Sequence, residues 1–86
     1  MDDLRLRTDD LSWREVDGEI VALDGDSSVY VATNRTGAAL WRLLAHGTTR
    51  EQLVDELVGS FDVTRERAEA DVDAYLGELR TKGLLA

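Results

Sequence analysis

Residues 23–37 read LDGDSSVYVATNRTG, and how this stretch is read decides what kind of protein it belongs to. Asp24, Asp26 and Ser28 fall at alternate positions, as the first ligands of a calcium loop do. Such a loop also needs a glycine at position 6, an oxygen ligand at 9 and a bidentate Glu at 12. Counted from Asp24, those positions hold Val29, Ala32 and Arg35, so the calcium pattern stops after its opening. What remains is a polar turn, DGDS, feeding SVYVAT, whose β-branched and aromatic residues suit a pleated, half-buried surface. In NRTG the period changes, since Asn34 and Thr36 are both N-cap residues standing before an apolar pattern of helical spacing. The stretch is therefore predicted to be turn, strand and helix start.

Working outward, LSWREV and EIVAL flank Asp17-Gly18. Asp-Gly between two β-type runs is a hairpin signal, because both residues accept the positive φ of a type I′ turn. With SVYVAT this predicts a three-stranded antiparallel meander. Downstream, NRTGAALWRLLAHG sets Ala38, Leu40, Trp41 and Leu44 at helical spacing and stops at Gly47. TTREQLVDELVGSF opens with overlapping capping boxes, Thr48 with Glu51 and Thr49 with Gln52, and carries Leu53, Val54, Leu57 and Val58 on one stripe. The third and longest helix has Thr64 as cap, a stripe of Ala68, Val72, Tyr75, Leu76 and Leu79, and a stop at Gly83. Three strands followed by three helices predict an α+β fold, a winged helix-turn-helix-like arrangement in which helices cover one face of the meander. Residues 1–10, MDDLRLRTDD, are expected to be a flexible acidic arm, with Leu4 and Leu6 able to add a short strand; residues 11–86 are expected to form a single domain.

Composition narrows the function. The 86 residues contain no cysteine, hence no disulfide, no thiolate metal site and no thiol nucleophile. The lone histidine, His46, falls in the last turn of the first helix, where a cation is ordinary capping chemistry. Paired carboxylates such as Asp24 with Asp26 and Asp71 with Asp73 read as solvated surface on an acidic chain. The seven glycines are scattered, with no phosphate loop among them. No enzyme, metal or cofactor is expected. Without a basic, apolar signal region or a run of about 18 apolar residues, the cytoplasm is the default compartment, with no membrane partner.

Two rivals remain to be weighed. The second and third helices, joined by GSFDV, have helix-turn-helix form, which suggests DNA. The net charge is −8, however, and the would-be reading helix carries Glu66, Glu69, Asp71, Asp73 and Glu78 against Arg65, Arg67, Arg80 and Lys82. Such a face repels phosphate, so no nucleic-acid partner is expected. An acyl carrier protein is also small and acidic, but it needs a serine at the start of a helix; here Ser27 and Ser28 precede a strand.

These same residues resemble the PqqD family of leader-peptide-binding modules, also called RiPP recognition elements. The likeness runs from about Ser12 to Leu85. It rests on the strand-to-helix junction at Thr33-Asn34 with Trp41 downstream, and on DVDAYLGELRTKGLL, where Asp71, Val72, Tyr75, Leu76, Leu79 and Gly83 match the family pattern. Thr33 departs from it, standing where the family usually has Leu. The resemblance implies a non-catalytic domain that binds the unstructured leader of a ribosomally made precursor peptide and delivers it to a leader peptidase or other modifying enzyme. The leader would add as a strand to the third strand, along Val29, Tyr30, Val31, Ala32 and Thr33, in a groove whose helix side is lined by Ala68, Val72, Tyr75 and Leu79. Asp71 would make a polar contact to a basic or hydroxyl group of the leader, while Trp13 and Trp41 are expected as core anchors. Strand addition is physically sound, because an unpaired edge gives affinity through backbone bonds and specificity through alternate side-chain pockets. Among pathways, lasso-peptide assembly is favoured over a chaperone role for radical SAM enzymes. A monomer is expected, or a weak dimer through the empty edge.

Overall fold

A computed structural model of the chain describes residues 3–7, 11–25 and 29–86. Its elements are strands β1 (Leu11–Val16), β2 (Glu19–Asp24) and β3 (Val29–Thr33), followed by helices α1 (Arg35–His46), α2 (Arg50–Ser60) and α3 (Arg65–Thr81). The sheet is an antiparallel meander in the order β1-β2-β3. This is the predicted α+β arrangement. Asp17 and Gly18 both take positive φ, 53° and 81°, which makes the first hairpin a two-residue type I′ turn.

β2 shows the period-2 alternation of a half-buried strand: Ile20, Ala22 and Asp24 are buried on the inner face, while Glu19 and Leu23 face outward. α1 lies across that inner face and α2 packs on both α1 and α3. Trp41, Leu40 and Leu44 of α1 meet Leu53, Val54 and Leu57 of α2 and Ala68, Val72, Leu76 and Leu79 of α3 in one buried cluster. Each fully buried Leu there contributes about 1.5–3 kcal/mol relative to an exposed one. Asn34 caps α1 through its Oδ1, which accepts from the Gly37 N–H at 2.9 Å. Of the overlapping boxes before α2, Thr49 with Gln52 forms, each side chain bonding the other's backbone N–H. Thr64 caps α3. α3 ends in a Schellman motif: Gly83 has φ 73°, its N–H donates to Arg80 O, and the Leu84 N–H reaches back to Leu79 O at 2.9 Å.

Three expectations change. Of the expected arm, residues 1–2 and 8–10 lie outside the described residues; residues 3–7 are bound into the fold through the strand-like pairing anticipated at Leu4 and Leu6, Leu4 with Thr48 and Leu6 with Leu85, and Leu6 is buried in the core. Asp24 is a buried carboxylate, 1% exposed, in an ion pair with Arg7 at 2.5 Å. Its supposed partner Asp26 lies outside the described residues. Trp13 is 40% exposed and packs edge-on against the fully buried Trp41, with ring centroids 6.1 Å apart, so only Trp41 anchors the core.

A groove beside the open sheet edge

The hairpin geometry assigns the direction of every backbone group in the sheet. A two-residue type I′ turn closes on a doubly hydrogen-bonded pair, here Val16 and Glu19. Backbone direction alternates along a strand, so Ile20, Ala22 and Asp24 turn their N–H and C=O toward β3, where they meet Thr33, Val31 and Val29. Tyr30 and Ala32 consequently turn theirs away from β2, on the side where no further strand follows among the described residues. The open edge thus offers the donors and acceptors of Tyr30 and Ala32. Side chains alternate on the other axis: Val31 is buried, Ala32 is exposed, and Tyr30 is 64% exposed on the outer face beside Leu23.

Next to this edge lies a groove of about 830 Å³ between β3, the start of α1 and the inner flank of α3, closed at one end by the turn that joins α2 to α3. Val31, Ala32 and Thr33 form one wall and Asp71, Tyr75 and Leu79 another. These six were expected from the sequence, and the fold brings them together. Ala68 and Val72 are fully buried in the core and do not line the groove. Val29 pairs with Asp24 through its backbone. The groove also contains Gly37 and Leu40 of α1, Leu57 of α2, and Phe61 and Val63 of the α2–α3 turn. A signal for the last two was present, because Phe61, the chain's one phenylalanine, and Val63 are apolar residues in a short connection between two capped helices.

The chemistry of the groove is an apolar floor with an acidic rim. Asp62, Asp71 and Glu78 lie on the rim with one cation, Arg67, whose Nε is 3.2 Å from Asp71 Oδ1. Asp71 is therefore already engaged within its own helix. Tyr75 reaches into the floor, where its hydroxyl is buried with no hydrogen-bond partner among the described residues. Burial first, and the nearby Glu78 charge second, push its phenol above the ordinary tyrosine range, so it remains a neutral donor. Elsewhere on α3, Arg65 pairs with Asp55 and Lys82 with Glu78, and Asp73 is held by Arg50 of α2, which leaves Arg80 as a single exposed cation. That helix presents no basic stripe to a nucleic acid.

An open strand edge beside a groove with an apolar floor is a feature of small α+β modules that can accept an extended peptide as an added strand. The chain belongs to the PqqD family, coenzyme PQQ synthesis protein D, whose profile matches residues 19–85. Two solved structures resemble it over nearly the whole length. One is TbiB1 in complex with the TbiA(beta) leader peptide, at 28% identity and a TM-score of 0.86, covering 94% of this chain and 93% of that one. The other is lasso peptide synthetase B1 complexed with the leader peptide, at 30% identity and a TM-score of 0.83, covering 96% of each chain. No curated protein sequence matches.

Proposed function

We propose that this protein is a non-catalytic recognition element that binds the leader of a ribosomally made precursor peptide and presents it to a leader peptidase or other modifying enzyme of a lasso-peptide pathway. The observation that carries the reading is the pairing of two features: the outward N–H and C=O groups of Tyr30 and Ala32, and the apolar groove running beside them. An extended chain docked there gains backbone bonds from the edge while alternate side chains enter the groove. Both structural relatives are complexes with a leader peptide, which supports this use of the groove. The backbone of Val29 to Thr33 receives the peptide, Tyr75 and Leu79 line the helix wall, and the rim carboxylates, Asp71 among them, favour a leader with basic or hydroxyl groups.

The test is fluorescence anisotropy of a labelled synthetic leader from the protein's own precursor, with a labelled random DNA duplex in parallel. Saturable leader binding and a flat DNA signal are expected. DNA binding without leader binding would return the protein to the winged-helix regulators.

A further inference from the structure

α1 carries Gly37 in its first turn, where alanine would hold a helix better. Its backbone does not require glycine, since the positive-φ residues are elsewhere. The space around it does. A methyl group at position 37 would lie 3.0 Å from Thr33 Cβ, 3.3 Å from the Tyr75 ring carbon Cε1 and 3.5 Å from Asn34 Oδ1, and all three residues line the groove. The other helical glycines differ, because a methyl at Gly59 or Gly77 meets nothing within 4 Å.

We propose that Gly37 is a specificity-determining residue of the groove: bare backbone at this point lets the Tyr75 ring and the Thr33 side chain close against α1, and so sets the level of the floor over which the peptide passes. The inference rests on the peptide-binding reading above. Any side chain at position 37 must shift the Tyr75 ring, the β3 backbone that carries the Thr33 Cβ, or both, and each of these surfaces faces the groove. The core is spared, since Ala38, Leu40 and Trp41 carry it. A raised floor penalises a bulky peptide residue more than a small one, so the leader residue above Gly37 is selected by size.

The experiment titrates the labelled leader of the protein's own precursor into wild type, Gly37→Ala and Gly77→Ala, with thermal melts of each. Wild-type binding comes first; its absence overturns the functional reading and this inference with it. Given that binding, Gly37→Ala should stay folded with a modestly lower melting temperature, since the added methyl overpacks the contact, and lose about tenfold or more in affinity. Gly77→Ala should melt higher and bind as wild type does. A leader series with glycine substituted at each position in turn should contain one peptide that recovers affinity for Gly37→Ala, a rescue that a purely structural role would not produce. Equal affinity of Gly37→Ala and wild type, or a loss that no peptide in the series recovers, overturns the inference. Should Gly37→Ala fail to fold, Tyr75→Trp adds bulk to the same contact from the opposite side, and unchanged affinity there is equally decisive against it.

Discussion

Tyr75 and Asp24 are both polar groups in apolar surroundings, and their neighbours give them opposite consequences. The Tyr75 hydroxyl has no partner among the described residues, so it bears a desolvation cost without a compensating bond. Tyr75→Phe keeps the ring and removes that cost; its melting temperature should equal or exceed that of wild type, measured in the absence of peptide. Asp24 is compensated by Arg7, and there the direction reverses. Arg7→Ala removes the cation that faces a buried carboxylate, and because Arg7 is itself partly exposed the loss should be about 2 kcal/mol by chemical denaturation. Sequence reasoning reached Tyr75 through helical spacing. It missed the burial of Asp24, because an acidic residue beside a turn is ordinarily solvated and the partner that pulls it inward lies 17 positions away along the chain.

At the scale of elements, β3 has two distinct sides. Alternation of backbone direction predicts that Pro at 31 and Pro at 32 act differently. Val31 donates to β2, so Val31→Pro breaks the sheet and should unfold the protein or lower its stability steeply. Ala32 faces the open edge, where proline is tolerated. Ala32→Pro should remain folded by circular dichroism while leader affinity falls about tenfold, and undiminished affinity in the folded variant would remove strand addition as the binding mode. The α2–α3 pair is clasped by Arg50 and Asp73, whose two nitrogens and two oxygens meet at 2.7 and 3.0 Å. That bond, and then the Arg50 charge, hold the Asp73 carboxyl below its ordinary 3.8. A depressed folded-state value means the contribution is present above pH 3.8 and is lost as the pH falls below it through the folded value. Asp73→Asn should thus lower the melting temperature slightly at neutral pH, with the difference vanishing in strong acid; the pair lies at the surface, so the effect is small.

For the whole molecule, the N-terminal segment closes the fold. Leu6 is buried against the core, the Arg7 N–H donates to Leu84 O, and the Ala86 N–H donates to Arg5 O, so the two ends of the chain are stitched together. Leu6→Ala should cost about 3 kcal/mol in a single cooperative transition. A transition indistinguishable from wild type would show that residues 3–7 add nothing to stability. The net charge of −8 acts at the same scale, disfavouring a phosphate backbone as a partner.

The architecture was legible because its signals are local. Asp17-Gly18, the capping box at Thr49, and the stops at Gly47 and Gly83 each act over four or five residues, and the fold obeys all of them. About a third of the groove was legible for the same reason, since Val31, Ala32, Thr33, Asp71, Tyr75 and Leu79, six of its seventeen lining residues, follow from strand and helix periodicity once the family likeness points to them. Periodicity, however, ranks a residue only as inward or outward within its own element. Which inward residues meet the core, as Ala68 and Val72 do, and which meet a gap, as Tyr75 does, depends on how far α3 stands from β3. That spacing is settled by contacts between distant segments, Leu6 on Leu85, Arg7 on Asp24 and Gly37 under Tyr75, which no local pattern encodes and only the packed chain decides.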